Sequence, residues 1–243
     1  MLRISELAGV RYLQFAPLLE RAHFTHFITL RQAGRDSEAA ARALCRRLDV
    51  PEDRLVRLRQ VHGSRVVVDP ARGDDFSAER PLEGDGLILT RPGWFGVIRT
   101  ADCIPVLAVA PQQPALALLH AGWRGLAAGI VEEGVAQLCE TTAVDPETVT
   151  VILGPCIRAC CYEVGPEVPT AFQKADRYAP DLEPGGRFDL VAAARLQLRR
   201  VGASRVYDSG LCTCCHPELC YSYRRNRTSH RHWTVAGFTR LGG

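Results

Sequence analysis

The chain has 243 residues, 47% of them hydrophobic and 23% charged, with a formal net charge of +3. These are ordinary values for a folded globular protein, and they exclude disordered, collagen-like and disulfide-miniprotein compositions. So small a charge, on arginines that are scattered rather than gathered into a stripe, argues against a nucleic-acid partner.

The length favours one large domain, α/β or all-β, over two well-built ones. The N-terminal stretch "MLRISELAGVRYLQFAPLLERAHF" is interrupted by Arg3, Glu6 and Arg11 and so lacks the apolar core of a signal peptide. No later run reaches the roughly 20 apolar residues that span a bilayer. The expectation is a cytoplasmic protein with no membrane partner. There, ten cysteines are better explained by reduced thiols, metal ligation or packing than by a disulfide framework.

In chain order, the pattern predicts a helix over 36–48, with Asp36 or Ser37 as its cap, and a strand at "RVVVD" (65–69). A polar, Gly-rich loop follows over 70–84. Strands are predicted at 94–100, 105–110 and 115–120, the last two joined as a hairpin by the turn signal "PQQP" at 111–114. Apolar residues over 124–140 are spaced as in a helix. A strand at 148–154 and helices at 166–175 and 189–201 complete the reading. Hairpins mixed with crossover helices imply an α/β fold, one domain over 1–243 with a mixed β-sheet core and helices packed on it.

Three short stretches each place a strong ligand where an apolar run meets a turn: "RQVHGSRV" with His62, "RTADCIPVL" with Cys103 and "LLHAGWRG" with His120. Imidazole and thiolate are donors that zinc prefers, and three protein ligands leave a fourth tetrahedral position for water or substrate. Singly, each has a plainer reading, the histidines as hydrogen-bonded core residues and the cysteine as a small buried hydrophobe. Their surroundings favour a site. Asp102 and Pro105 make an irregular corner around Cys103, and Gly122 and Gly125 let the backbone after His120 come close to a bound group. Trp123 could wall such a pocket, and Arg124 could meet an anion. Arginine suits phosphate or carboxylate better than lysine does, although a chain whose single lysine is Lys174 uses arginine for ordinary surface charge too.

The stretches "QVHGSRV", "DGLIL", "TADCIPVL", "HAGWRGLAAGIV", "GPCIRACCYEVG" and "YSYRR", in this order and spacing over about residues 60–225, resemble the laccase-domain family, also called polyphenol-oxidase-like or YfiH-type. The resemblance implies a single α/β domain in which His62, Cys103 and His120 bind a catalytic metal, generally zinc. It also implies purine nucleoside phosphorolysis, with adenosine deaminase and methylthioadenosine phosphorylase activities. An older attribution is copper-dependent phenol oxidation, and a role in editing peptidoglycan precursors is ascribed to relatives. Purine nucleosides and phosphate are then the expected partners, with Arg124 and Arg224 as candidate anion contacts. The chain departs from the family pattern twice. "ITLRQAGRDSEAAARAL" keeps Arg31 but loses the usual "TRxGGVS" and "SLNL" elements. Near the C-terminus "RTSHRH" keeps Arg227 and Thr228, and the next arginine of the pattern becomes His230 or, with a shift, Arg231.

Seven of the remaining cysteines cluster, as Cys156, Cys160 and Cys161, and as Cys212, Cys214, Cys215 and Cys220 beside His216. Cys212 and Cys215 have the C-x-x-C spacing of a structural zinc site, but Cys156 and Cys160 do not, so buried free thiols are expected rather than a second metal. The H-x-E signature of zinc nucleobase deaminases is missing, since His62 is followed by Gly63 and Ser64. G-x-S-x-G and P-loop elements are missing as well. Glu163 and Asp189 read as helix-start caps or solvated surface groups rather than as acid/base groups. Three alternatives to the nucleoside reading stay open: copper oxidation, for which seven histidines are few, a cysteine hydrolase with Cys103 as nucleophile and His120 as base, and a metal-stabilised partner-binding module without enzyme activity.

Overall fold

In the computed structural model, residues 2–32, 34, 36–70 and 82–240 are described, so residues 71–81 of the expected loop at 70–84 lie outside the described residues. Among the described residues there are twelve strands, interspersed with helices. The strands are β1 (Leu2–Leu7), β2 (Val10–Phe15), β3 (Phe24–Thr29), β4 (Leu55–Arg57), β5 (Val66–Val68), β6 (Gly86–Leu89), β7 (Phe95–Thr100), β8 (Ile104–Val109), β9 (Leu116–Ala121), β10 (Thr150–Leu153), β11 (Arg205–Asp208) and β12 (His232–Phe238). The α-helices are α1 (Ala16–Leu19), α2 (Ser37–Arg47), α3 (Trp123–Ala127), α4 (Ile130–Thr142), α5 (Glu167–Lys174), α6 (Leu190–Arg200) and α7 (Tyr223–Asn226).

The α/β class is as expected, but the one expected sheet is two, each six-stranded and mixed. Their strand orders are β1-β2-β3-β12-β7-β4 and β11-β10-β8-β9-β6-β5. The period of two along a strand explains how both are buried. In β8, Leu107 and Val109 pack between the sheets with Leu13, Ile28 and Ile98 of the first sheet. Ile104, Val106 and Ala108 of the same strand face the other way, onto a helical layer that includes Leu126, Ile130, Leu138 and Leu198. On the far side of the first sheet, Phe27, Phe95, Val97 and Trp233 pack with Ala40, Ala41 and Leu44 of α2. The layers therefore run helix, sheet, sheet, helices. Gly96 lets the two sheets approach closely, since a Cβ there would lie 2.7 Å from Leu118 Cδ1 and 2.9 Å from Leu87 Cδ2.

Local chemistry sets the element ends. Asp36 caps α2 by accepting from the Glu38 and Ala39 amides, and Asp189 caps α6 through Val191 and Ala192. The helix expected over 124–140 is broken: α3 ends at Ala127, Gly129 takes a left-handed φ of 89°, and α4 starts at Ile130. Such a φ is readily adopted by glycine and interrupts the helical ladder. The hairpin at 111–114 joins β8 to β9, closed by the Ala110 amide donating to the Ala115 carbonyl. No helix among the described residues is long and apolar enough to cross a membrane.

Candidate metal centre

The site lies at the open end of the inter-sheet seam. In β9, residues 116, 118 and 120 share a face, so a strand that buries Leu116 and Leu118 between the sheets carries His120 to the rim of that seam. Cys103 stands directly before β8, which pairs with β9 so that Pro105 lies opposite His120. His62 arrives on the loop after β4, in a left-handed conformation with φ 62°. Residues from three separate segments thus meet: the ligand atoms of His62, Cys103 and His120 all lie within 4.8 Å of one another. The two imidazole rings sit edge to face at 4.7 Å between centroids.

Asp85, which the sequence reading did not single out, organises this cluster. It is fully buried, 0% exposed. Its carboxylate lies 2.7 Å from His120 Nδ1 and accepts the amides of Val61, His62 and Gly63 at 3.1, 2.9 and 2.7 Å. One carboxylate therefore fixes both the ring of His120 and the loop that carries His62. Burial by itself would raise the Asp85 pKa, but these donors outweigh it and the carboxyl is held below its ordinary value. With Nδ1 held by Asp85, a metal that takes the place of the Nε2 proton would meet a fixed ring, the carboxylate–histidine arrangement common behind metal ligands. The legible traces of this residue are its place in the family-like stretch "DGLIL" and an acidic side chain set immediately before an apolar run.

Asp102 performs a similar service for Cys103. Its φ of 96° is a strained value for a non-glycine residue. The strain is held by Thr213 Oγ1 and the Arg224 amide, both donating to its carboxylate at 2.6 Å, and by the Ile157 amide donating to its carbonyl. Burial would push the Cys103 thiol up, yet the charged His120 ring and hydrogen bonds from both histidines bring it down to about 6. His120 moves the other way. Burial lowers it, but the Cys103 thiolate and Asp85 carry it up to about 9.

Two imidazoles and a readily ionised thiol fit a borderline-soft cation such as zinc, with one tetrahedral position left for water or substrate. The backbone leaves room for the sulfur. A Cβ on Gly122 would lie 2.9 Å from Cys103 Sγ and 3.3 Å from His62 Cδ2.

The cluster opens into a cleft of about 760 Å³. Both arginines expected at the site line it, and so do Arg59, Arg99 and Arg231, which the sequence reading had not placed there. Arg124 lies over the Trp123 ring at 4.3 Å. Arg224 lies over Tyr162 at 5.0 Å and donates through Nη1 to the Glu163 carbonyl. Arg59 is paired with Glu83. Trp123, Tyr162 and Tyr223 supply aromatic walls. Of the two C-terminal candidates Arg231 lines the cleft, whereas the His230 ring stacks on Tyr221 instead. Arg31 binds the Pro217 carbonyl away from the cleft. The Glu163 side chain is exposed and accepts from Arg187 at 3.2 Å.

A family model described as multi-copper polyphenol oxidoreductase laccase matches residues 31–239. The chain belongs to this family. Curated relatives carry the name purine nucleoside phosphorylase. YfiH of Escherichia coli (strain K12) is 35% identical over 178 residues, 72% of this chain and 70% of that protein. A Xylella fastidiosa (strain Temecula1) relative is 38% identical over 186 residues, 74% of this chain and 70% of its own. Among solved structures, YlmD from Geobacillus stearothermophilus superposes with a TM-score of 0.85 at 28% identity, covering 98% of this chain and 99% of that one.

Proposed function

We propose that this chain is a cytoplasmic, single-domain, zinc-dependent purine nucleoside phosphorylase, with adenosine deaminase and methylthioadenosine phosphorylase activities. In this reading His62, Cys103 and His120 are the metal ligands and catalytic residues, and Arg124 and Arg224 hold phosphate. The observation that carries it is one cleft in which a His–Cys–His cluster faces five arginines and three aromatic rings. The names of the relatives support the choice of purine nucleosides.

Phosphorolysis requires a phosphate oxygen to bond to the ribose C1′ while the bond from C1′ to the purine nitrogen breaks. That electron pair leaves on the base, which takes up a proton. Guanidinium groups suit both ends of this chemistry, because their planar forks bind phosphate bidentately and their charge offsets the anion beside the departing base. Trp123 and Tyr162, already stacked against arginines, offer flat apolar faces for the purine. Asp85 holds Nδ1 of His120, so that a metal displacing the Nε2 proton would meet an oriented ring, and Asp102 holds Cys103 at its corner. Zinc bound by the three ligands would supply Lewis-acid polarisation and, for deamination, a water acidified to a pKa of about 7.

The test is release of hypoxanthine and adenine from inosine and adenosine with phosphate present, comparing the wild type with His120→Ala. Loss of release together with loss of the metal is expected; equal activity in both proteins would sink the assignment. Copper oxidation of phenols is the second reading, favoured by the family description and by a His–Cys–His set that copper also accepts. Against it, His23, His26, His216, His230 and His232 lie outside the cluster, so among the described residues no array of histidines stands ready for several coppers. Copper in protein purified without added metal, with phenol turnover, would favour that alternative.

A further inference from the structure

A second group of sulfurs lies apart from the His–Cys–His cluster. Cys160 and Cys161 sit in a turn closed by the Cys161 and Tyr162 amides donating to the Arg158 carbonyl. Cys212 and Cys215 sit in a turn closed by the His216 amide donating to the Cys212 carbonyl. A short parallel bridge between Cys156 and Cys212 lays the two segments side by side. All four sulfurs, from Cys160, Cys161, Cys212 and Cys215, lie within 4.8 Å of one another. Cys215 Sγ is 3.3 Å from Cys161 Sγ and 3.6 Å from Cys160 Sγ.

We infer that these four cysteines form a closed structural zinc site, separate from the catalytic cluster, that staples the 158–162 turn to the 212–215 turn. A tetrahedron of thiolates about 2.3 Å from zinc has sulfur–sulfur edges of about 3.8 Å, close to the spacings seen. A disulfide requires about 2.05 Å and unites only two sulfurs, whereas Cys215 stands almost equally near two candidates while Cys212 also converges. Four thiolate donors with no vacant position make a structural rather than a catalytic set. On binding, the thiol protons pass to solvent and four zinc–sulfur bonds form, with no oxidation step.

The spacing of Cys156 and Cys160 predicts no second ligand pair, whereas the fold brings the adjacent Cys160 and Cys161 to Cys212 and Cys215. Cys156 is buried at the bridge. The staple borders the cleft: Tyr162 and Ile157 line it, and Thr213, inside the C-x-x-C turn, holds Asp102 next to Cys103.

The experiment uses full-length protein carrying Cys103→Ser and His120→Ala, purified without oxygen, so that the first cluster cannot contribute. About one equivalent of zinc per chain is expected to remain, and to be lost when Cys212→Ser and Cys215→Ser are added. Should the latter protein fail to fold, stepwise mercurial titration of the Cys103→Ser, His120→Ala protein replaces it, with a chromophoric chelator reporting zinc release as four thiols react. Cobalt in place of zinc should give the intense visible band of tetrahedral four-thiolate coordination. Zinc-free protein, or a disulfide from Cys215 to Cys160 or Cys161 found in anaerobic material, would overturn the inference. Neither result bears on the nucleoside reading, because the catalytic ligands are already removed.

Discussion

Replacing Asp85 with asparagine tests how much of the metal centre is built by a residue that touches no metal. The change keeps the shape of a side chain that is 0% exposed. It removes the charge, however, and turns one of two acceptor oxygens into a donor. The four groups now facing that carboxylate are all nitrogens: His120 Nδ1 at 2.7 Å and the amides of Val61, His62 and Gly63 at 2.7 to 3.1 Å. An asparagine NH2 must therefore confront at least one N–H, leaving a buried donor unsatisfied at about 1–3 kcal/mol. If His120 loses its partner, the ring is no longer fixed in the tautomer that presents Nε2. Loss of such outer partners costs 10- to 100-fold in metal affinity, or about 1.4–2.7 kcal/mol. Chelator competition measures the affinity, and thermal unfolding of metal-free protein measures the stability cost separately. Asp85→Asn with wild-type metal affinity and turnover would refute the claim that this carboxylate sets the histidine.

Other perturbations separate the parts of the site. Gly122 has φ −83° and ψ 172°, which alanine adopts freely. Gly122→Ala should therefore leave the fold intact while its Cβ displaces Cys103 Sγ, lowering metal occupancy at least about tenfold; unchanged metal content would contradict the packing argument. Arg124→Ala should raise the phosphate KM at least about tenfold, roughly 1.4 kcal/mol, and slow adenosine deamination less, because that reaction uses water instead of phosphate; equal loss in both assays would remove Arg124 from the anion site. For pH, the decisive groups are His26 and His232. His26 Nε2 accepts from the Phe15 amide, and His232 accepts from the Tyr221 amide while donating to the Thr29 carbonyl. Burial lowers both, His26 to about 4. The unfolded chain protonates through about 6.5 and the folded one does not, so stability is full above that pH. It should fall between pH 6.5 and 4.5 by up to about 1.4 kcal/mol per unit for His26, with His232 adding in the same direction. A melting temperature that stays flat over that range would show that these rings are not held neutral.

Much of this protein was legible from its local pattern. Strands β5, β7, β8, β9 and β10 and helices α2, α5 and α6 coincide with predicted segments to within a residue or two, because apolar spacing and caps such as Asp36 and Asp189 act over a few neighbours. The first hairpin was not legible. Its two-residue turn uses Ala8 and Gly9 at φ 55° and 69°, and alanine in a left-handed position gives no turn signal. Nor did the sequence announce two sheets, since a strand buried on both faces looks the same whether it is covered by helices or by another sheet.

The three donor residues could be chosen by type and by their places at strand ends, yet only the packing of β8 against β9, and of the loop after β4 beside them, brings their ligand atoms within 4.8 Å. Asp85 shows the limit most clearly. In the sequence it is one carboxylate before an apolar strand; in the fold it is the common acceptor for His120 and the His62 loop. The sulfurs of Cys160, Cys161, Cys212 and Cys215 likewise come from segments about fifty residues apart, joined through one bridge at Cys156 and Cys212. Residue identity set which atoms could bind or ionise. Tertiary structure decided which of them meet, because burial and charge coupling act across a few ångströms of space rather than along the chain.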